Sequence, residues 1–266
     1  MPPGNPRRRK LTEHWLLLDI GNTHTVGGLF RTDGTRVAEV RFRTDSQCTT
    51  DEYRVLLTQL FRERLGRDIW DLAARIVLST VVPALESIVT RACHILPVLL
   101  VSARLQRDFE LAIPHPEQLG ADRLANVAGA LGLVAPPLLI VDAGTATTFC
   151  LINQRRAYVG GAIVPGLETS WRALQARAAK LFSVELTRPD NAVGNTTETQ
   201  IQSGVLQGYE ALIEGMTDRL LSDAGLEGAT LIATGGCTRL IRLSDRFRLV
   251  PELTLLGLFR YGQCNV

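Results

Sequence analysis

Two stretches of this chain share one pattern: Leu16-Leu-Leu-Asp19-Ile-Gly21-Asn-Thr23 and Leu139-Ile-Val-Asp142-Ala-Gly144-Thr-Ala-Thr147. Each is an apolar segment that ends in Asp-x-Gly followed by polar residues, and each leads into a further segment with strand character. The two aspartates lie about half of the 266-residue chain apart. A repeat at this spacing predicts two similar domains that each begin with a β-hairpin.

The rest of the chain fits a two-domain interpretation. In the first half, hydrophobic patterns predict strands at 15–20, 26–31, 36–42, 76–82 and 97–101 and helices at 50–65 and 85–93. In the second half, they predict strands at 138–142, 147–152, 157–163 and 230–234 and helices at 123–133, 167–180, 198–224, 239–243 and 253–261. A loop rich in proline and charge at 106–119 separates the halves. We therefore expect an N-terminal domain at 15–118 and a C-terminal domain at 119–266.

The composition is typical of a folded cytoplasmic protein. Hydrophobic residues make up 45% of the chain, enough for a large core, and the formal net charge is +2. A basic tail at 1–14 is either a frayed start or an arm attracted to phosphate or membrane. The sequence shows no basic face with interleaved aromatics for nucleic acid and no apolar run near the ~20 residues that span a membrane. Five cysteines without metal-ligand spacing indicate reduced thiols.

An Asp-x-Gly turn between two strands suits a nucleotide phosphate. Glycine lets backbone N–H groups approach a phosphate closely, and the carboxylate can hold a hydrated Mg²⁺ ion. A single turn of this kind is more often an ordinary hairpin turn, but a pair at half-chain spacing favours a shared triphosphate. The candidate residues are Asp19, Gly21, Asn22 and Thr23 in the first turn and Asp142, Gly144, Thr145 and Thr147 in the second.

A third turn contains two glycines. The predicted strand Thr230–Ala233 runs into Thr234-Gly235-Gly236, where a backbone could pass close to a nucleotide, although a plain helix-capping turn is the alternative. Together the three turns resemble those of the superfamily of ATP-binding proteins that contains actin, hexokinase and the heat-shock chaperone ATPases. The resemblance implies an α/β fold of two duplicated ribonuclease H-like domains. Each would be a mixed five-stranded sheet flanked by helices, with a nucleotide cleft between the two.

Within that superfamily, the chain resembles the type III pantothenate kinases. Nine motifs in order across residues 16–258 carry the resemblance: Asp19-Ile-Gly-Asn-Thr23, Ser79-Thr-Val-Val-Pro83, Gly120-Ala-Asp-Arg123, Asp142-Ala-Gly-Thr-Ala-Thr-Thr148, Gly160-Gly-Ala-Ile-Val-Pro-Gly166, Val193-Gly-Asn-Thr196, Gln202-Ser-Gly204, Thr234-Gly-Gly236 and Leu253-Thr-Leu-Leu-Gly-Leu258. The resemblance implies ATP-dependent phosphorylation of pantothenate to 4'-phosphopantothenate, the first step of coenzyme A biosynthesis.

The resemblance also implies roles for acidic residues. Asp122 would be the catalytic base, with Gly120 and Arg123 beside it in substrate binding. Without the resemblance, Asp122 and Arg123 could be a helix cap and a surface arginine. Asp19 would bind Mg²⁺, and Asp142 would bind a monovalent cation, K⁺ or NH₄⁺.

The nucleotide and the second subunit would involve further residues. The residues expected to bind ATP are Asp19, Gly21, Asn22, Thr23, Gly144, Thr145, Thr147, Gly235 and Gly236. Family members are homodimers, and Thr196 matches a position that approaches pantothenate from the neighbouring subunit. One departure concerns the cation, because Cys150 stands where the family commonly has an aspartate.

Two other functions remain open from the sequence. The family also includes proteins described as Bvg accessory factors, so a non-catalytic nucleotide-binding regulator is one alternative. A kinase or phosphatase of the same superfamily that acts on another acceptor is the second. The three intact aspartates, Asp19, Asp122 and Asp142, favour an enzyme, since a protein that only binds nucleotide would be free to lose the base.

Overall fold

The protein is described by a computed structural model, which covers residues 14–177 and 184–265. The predicted basic tail, apart from His14, lies outside these residues. The chain forms two compact units. The first contains residues 14–108, 117–129 and 254–265, and the second contains residues 109–116, 130–177 and 184–253.

The first unit is built on a five-stranded sheet. Its elements are β1 (His14–Ile20), β2 (His24–Arg31), β3 (Arg36–Arg43), α1 (Thr50–Leu65), α2 (Ile69–Leu72), β4 (Ala73–Thr80), α3 (Pro83–Ala92) and β5 (Val98–Leu100). The strand order is β3-β2-β1-β4-β5, with β1, β2 and β3 antiparallel and β4 and β5 parallel to β1. The predicted meander and the mixed sheet are confirmed.

Burial explains why these segments pair. The side chains of Leu16, Leu17 and Leu18 are fully buried, so β1 is covered on both faces, as expected for a central strand that neighbours a parallel strand. On one face, Leu16 and Leu18 join the core formed with α1 and α3. Helix α1 begins at a capping box, in which Thr49 and Glu52 satisfy each other's backbone N–H groups.

Two helices from later in the sequence belong to this unit. They are α4 (Ala121–Leu133), whose first nine residues group with it, and α8 (Leu253–Asn265), from Thr254 onward. A Cβ on Gly257 would lie 1.7 Å from the Ala125 carbonyl oxygen, so only glycine permits this contact, and Thr254 Oγ1 donates to Asn126 Oδ1 at 2.8 Å. This division differs from the expected boundary at 118/119. Helix α8, at the end of the chain, packs on α4 and so belongs to the first unit.

The second unit repeats the architecture of the first. Its elements are β6 (Glu110–Leu111), the end of α4, β7 (Leu138–Ala143), β8 (Ala146–Ile152), β9 (Ala157–Pro165), α5 (Leu167–Arg177), α6 (Thr197–Gln202), α7 (Gly208–Ala224), β10 (Thr230–Thr234) and β11 (Phe247–Leu249). The strand order is β11-β10-β7-β8-β9-β6. Read from β9 to β11, five of these strands reproduce the order of the first sheet, which confirms the predicted duplication.

Several short elements differ from the sequence-based expectation. The two-residue strand β6 adds a sixth strand beside β9, and such a short segment carries no periodic pattern. The predicted helix at 239–243 is wrong, because the chain forms a single 3₁₀ turn at Gly236–Arg239 instead. The predicted helix at 198–224 contains a π-helical segment, Ser203–Gln207, between α6 and α7. The predicted helix at 167–180 is described as far as Arg177, and its last three positions lie outside the described residues.

None of the helices in residues 14–177 and 184–265 has the length and apolarity needed to cross a membrane.

Candidate active site

The first Asp-x-Gly turn follows β1 at the carboxyl end of the strand. Asp19 is paired with Ser79 in the parallel register of β1 and β4, and Ser79 Oγ donates to Asp19 Oδ1 at 2.9 Å. Ser79 is fully buried, so this hydroxyl is held in place by the sheet. The hydrogen bond fixes the orientation of the carboxylate at the sheet edge.

The backbone of the first turn is held by Thr44, the residue that follows β3. Gly21 N–H donates to the His24 carbonyl at 3.0 Å and closes the turn, and Thr44 N–H donates to the Thr23 carbonyl at 3.0 Å. Thr44 Oγ1 also donates to the Gly21 carbonyl at 2.7 Å. Asn22 at the tip of the turn is exposed. The turn is therefore anchored at two carbonyls while its tip faces solvent.

Asp122, which the sequence predicts to be the base, lies in the first turn of α4. Its Oδ1 accepts a hydrogen bond from the Arg123 N–H at 2.7 Å. A Cβ on Gly120 would lie 2.5 Å from the same oxygen and 3.7 Å from the Val81 side chain. Since Val81 directly follows β4, the start of α4 lies at the carboxyl end of β4. This is the edge of the first sheet at which Asp19 also lies.

The environment of Asp122 favours its protonated form. Burial raises the pKa of Asp122 above its ordinary value, because removal from water penalises the charged carboxylate. The Arg123 N–H and the Arg123 charge act in the opposite direction and offset part of the rise in pKa. A carboxylate with a raised pKa is a stronger base than an exposed aspartate, which suits proton abstraction from an alcohol.

The second Asp-x-Gly turn follows β7 in the second unit. Gly144 N–H donates to the Ala146 carbonyl at 3.1 Å, which closes a tight turn. The Thr145 carbonyl accepts from the Gly166 N–H at 3.1 Å and from Thr169 Oγ1 at 2.7 Å. The side chain of Thr145 is exposed, as expected for a phosphate-binding position.

The glycine turn after β10 lies against the second Asp-x-Gly turn. Thr234 and Asp142 are paired in the parallel register of β10 and β7. A Cβ on Gly235 would lie 2.4 Å from Asp142 Oδ1 and 2.5 Å from the Ala143 carbonyl oxygen. Gly235 has φ 93° and ψ 155°, a conformation that is almost restricted to glycine. Gly236 follows and is exposed, so the second unit brings Asp142, Gly144, Thr145 and both glycines together.

Two of the predicted site residues, Thr147 and Thr196, do not lie on the surface of the three turns. Thr147 is fully buried at the start of β8, and its hydroxyl is hydrogen-bonded to the Tyr209 hydroxyl. Thr196 is an exposed N-cap of α6, where its Oγ1 accepts from the Thr199 N–H at 3.2 Å. Thr147 therefore lies beneath the turn rather than on its surface.

Ser79, Thr44 and Tyr209 contact the predicted turns but were given no role from the sequence. Ser79 lies within one of the nine motifs, and its pairing with Asp19 follows only from the parallel register of β1 and β4. Thr44 and Tyr209 contact the turns across 23 and 62 residues of sequence. No local pattern identifies such contacts.

The arrangement suits phosphoryl transfer, which depends mainly on positioning and charge neutralisation. Across the described part of the chain, no three His, Cys, Asp or Glu side chains are grouped in a way that could hold a metal ion by themselves. A single carboxylate beside a glycine-containing turn, such as Asp19, fits Mg²⁺, which is commonly held by one or two carboxylates, substrate phosphates and water.

Comparison with known proteins agrees with this interpretation. Residues 15–219 match the family described as type III pantothenate kinase. The chain is 40% identical over 255 residues to a type III pantothenate kinase from Bacillus cytotoxicus, covering 94% of this chain and 95% of that protein.

Solved structures with low identity share the fold. One is a conserved putative Baf family transcriptional activator from Campylobacter jejuni, with a TM-score of 0.60, 17% identity and coverage of 93% of this chain and 97% of that chain. Another is the activator of 2-hydroxyisocaproyl-CoA dehydratase from Clostridium difficile with bound ADPNP, with a TM-score of 0.54, 15% identity and coverage of 94% and 95%. At such identities the similarity concerns the fold alone, which is that of the actin-like ATPases. The family match over most of the chain and the 40% identity together show that the chain belongs to the type III pantothenate kinase family.

Proposed function

We propose that this protein transfers the γ-phosphoryl group of ATP to the primary hydroxyl of pantothenate, with Asp122 as the base. Membership of the kinase family supports the reaction. The observation that carries the role of Asp122 is its place in α4, half-buried with a raised pKa at the same sheet edge as Asp19. Gly120 and Arg123, which flank Asp122, are proposed to bind pantothenate.

In this proposal Asp122 orients the attacking hydroxyl and takes up its proton. The oxygen–phosphorus bond to pantothenate forms while the bond between the γ-phosphorus and the β–γ bridging oxygen breaks, and ADP leaves with the electron pair. Phosphate binding is proposed for Gly21, Asn22 and Thr23 in the turn after β1 of the first unit. It is likewise proposed for the turns after β7 and β10 of the second unit, which contain Gly144, Thr145, Gly235 and Gly236. Backbone N–H groups in such turns are suited to phosphate oxygens.

Mg²⁺ is proposed to bind at Asp19, where it would neutralise charge on the phosphates. The hydrogen bond from Ser79 to Oδ1 supports this role, because it orients the carboxylate before a ligand arrives.

The monovalent cation, K⁺ or NH₄⁺, is proposed to bind at Asp142. The carboxylate and the Ala143 carbonyl oxygen both lie within 2.5 Å of the position that a Cβ on Gly235 would fill. The absence of a side chain at Gly235 thus lets its backbone pack closely against these two oxygens. Cys150 is buried and lies two residues beyond Thr148, the partner of Asp142 in β8. Since strand side chains alternate between faces, a carboxylate at position 150 would have pointed to the same face as Asp142.

The test is a coupled assay of ADP release at high ATP concentration, with pantothenate present or omitted and with K⁺, NH₄⁺ or Na⁺ as the cation. We expect ADP release to require pantothenate and to be faster with K⁺ or NH₄⁺ than with Na⁺. Release with no dependence on pantothenate under any cation would contradict the proposed acceptor. Equal rates with all three cations would remove only the proposal for Asp142.

Replacing Ser79 with alanine is expected to raise the KM for MgATP about tenfold, because hydrogen bonds to charged groups contribute about 1.5–3 kcal/mol. The KM for pantothenate should stay within about twofold of wild type, because the Ser79 hydroxyl orients Asp19 and so affects the metal-bound nucleotide rather than the acceptor. The measurement is steady-state kinetics at several Mg²⁺ concentrations. Ser87→Ala, on the exposed side of α3, is the matched control. An unchanged KM for MgATP in Ser79→Ala would show that this serine does not orient the metal-binding carboxylate.

The protein is further proposed to be a cytoplasmic homodimer in which Thr196 approaches the pantothenate of the neighbouring subunit. The side chain of Val193, three residues before Thr196, is 88% exposed, so this segment is accessible to another chain. The five cysteines are not joined in disulfides, which suits a reducing compartment.

A further inference from the structure

The two sheets place a threonine at the same position behind each phosphate turn. In the β1–β2 pair, Ile20 is opposite Thr25, and in the β7–β8 pair, Ala143 is opposite Thr147. Ile20 and Ala143 are the residues that directly follow the two turn aspartates. Both threonines are fully buried. The duplication therefore extends to the residue that leaves each turn.

In the first unit, a chain of hydroxyl groups joins this threonine to the turn. Thr25 Oγ1 and Thr44 Oγ1 are 3.0 Å apart, and Thr44 Oγ1 is 2.7 Å from the Gly21 carbonyl oxygen. A carbonyl can only accept, so Thr44 uses its one proton on Gly21 and must accept the proton of Thr25. The direction of the chain is thus fixed, and it ends on the backbone of the turn.

In the second unit, a tyrosine occupies the corresponding place. The hydroxyl of Thr147 is hydrogen-bonded to the hydroxyl of Tyr209, and both side chains are buried. Tyr209 is the second residue of α7 and follows the π-helical segment Ser203–Gln207. π-helical segments are often found at functional sites.

The start of α7 is itself anchored. Glu210, next to Tyr209, accepts from Arg188 Nη2 at 2.8 Å and from the Arg242 N–H at 2.6 Å. Tyr209 is thus held by two other segments of the same unit. A tyrosine fixed in this way can hold the Thr147 hydroxyl in one position through their hydrogen bond.

The Tyr209 hydroxyl keeps its proton at neutral pH. Burial raises the pKa of Tyr209 to about 12, and the nearby Thr147 hydroxyl and Leu167 N–H offset part of the rise. The negative charge of Asp142 also contributes to the rise, so the phenol lies within electrostatic reach of the turn carboxylate. A neutral phenol can donate to Thr147 throughout the pH range in which a kinase works.

The first unit also has a buried tyrosine near its threonine, but the hydroxyl of this tyrosine is not held in the way that the Tyr209 hydroxyl is. Tyr53 in α1 is buried close enough to Thr25 and Asp19 for both to affect the pKa of its hydroxyl, which burial raises. Its hydroxyl does not reach hydrogen-bond geometry with a side chain or backbone group in the described residues. There Thr44 takes the role of anchor. In the second unit, by contrast, the tyrosine is hydrogen-bonded to the threonine itself.

We propose that Tyr209 is a positioning residue for ATP: through its hydrogen bond to Thr147 it holds the Gly144–Ala146 turn in the conformation that binds phosphate. This inference rests on the proposed function, since it assigns ATP to that turn. The opposite side of the turn is held by Gly166 and Thr169 at the Thr145 carbonyl. Loss of the Tyr209 hydroxyl would remove the hydrogen bond on the side of the turn that enters β8 and leave the bonds to the Thr145 carbonyl in place.

The experiment measures ATP binding directly by calorimetry in the full-length protein, without pantothenate. Tyr209→Phe is expected to weaken ATP binding about threefold to tenfold, the range of one neutral hydrogen bond. In the assay with pantothenate, the KM for ATP should rise while the KM for pantothenate is unchanged. Thr147→Val should weaken ATP binding to the same extent, and the double variant should be no weaker than either single variant.

Tyr261→Phe is the matched control. Tyr261 is fully buried, and its hydroxyl donates to the Ser102 carbonyl at 2.8 Å and accepts from the Ser102 N–H at 3.1 Å, in the first unit. Thermal unfolding should show lower stability in both tyrosine variants, but only Tyr209→Phe should affect ATP.

Three outcomes would overturn the inference: equal ATP affinity of Tyr209→Phe and wild type, additive effects in the double variant, or loss of the folded state in Tyr209→Phe alone. The last would make the hydroxyl structural. If the wild type binds ATP but does not phosphorylate pantothenate, the proposed reaction fails while the comparison of Tyr209 variants still decides the present inference.

Discussion

Replacing Asp122 with asparagine is expected to lower pantothenate-dependent turnover about 10²–10⁴-fold, the usual contribution of a general base. Asparagine keeps the shape of the side chain and can still accept from the Arg123 N–H, so α4 should form as in the wild type. The binding of ATP should be unchanged, because the loss concerns proton transfer from the acceptor. Coupled ADP release and calorimetry measure the two effects separately.

The same substitution is expected to stabilise the protein above the pKa of Asp122. Burial raises the pKa of Asp122 in the folded state, so the folded protein binds this proton more tightly than the unfolded chain does. The stabilising contribution is fully present below the ordinary pKa of aspartate and is lost as pH rises through the folded pKa. Asparagine, which cannot ionise, avoids that loss.

We expect Asp122→Asn to gain about 1 kcal/mol at pH 8, or a rise in Tm of about 2–4 °C, and to show no gain near pH 4. Thermal unfolding followed by circular dichroism at the two pH values measures this. Asp33→Asn is the control, since Asp33 lies in an exposed turn and bonds to the Thr35 N–H at 2.8 Å, and its turnover should match wild type. A less stable Asp122→Asn protein at pH 8, or one with normal turnover, would contradict the role of Asp122.

Replacing Gly235 with alanine is expected to destabilise the protein by about 2–4 kcal/mol and to weaken ATP binding at least tenfold. The new Cβ would collide with the backbone of Ala143 and with the Asp142 carboxylate, at 2.5 and 2.4 Å from their oxygens. The φ and ψ of Gly235 are also unfavourable for any side chain, at about 1–3 kcal/mol. Either the glycine turn or the Asp142 turn must move, and both are proposed to bind ATP.

Gly225→Ala provides the comparison that separates the two causes. Gly225 also has a positive φ, of 64°, at the end of α7, but no atom lies within 4 Å of the position of its Cβ. We expect this variant to lose only about 1 kcal/mol, the conformational part, and to bind ATP normally. Urea unfolding and calorimetry measure both quantities. If the two variants lost the same stability and both bound ATP normally, the close packing of Gly235 on the Asp142 turn would have no functional role.

Local pattern was sufficient for the main elements of the fold. The strands β1 and β7 are recognisable because each has an apolar run that ends at an Asp-x-Gly turn. Helix α1 is recognisable because its capping box and its buried face are formed by residues close together in the sequence. Short elements had no such pattern. Strand β6 has two residues, and the segment after Gly236 has only one 3₁₀ turn.

For the site, the sequence by itself determined which residues have the chemistry for phosphoryl transfer. They are the two Asp-x-Gly turns at Asp19 and Asp142, which form a repeat, and Asp122 close to Gly120. The tertiary structure decided how they are held, because hydrogen bonds such as Ser79 to Asp19 join residues far apart in the chain. It also separated the exposed Thr145 from the buried Thr147, two threonines that look equivalent in sequence. Burial depends on which strand and helix cover a residue, and that is a property of the folded chain rather than of its neighbours in sequence.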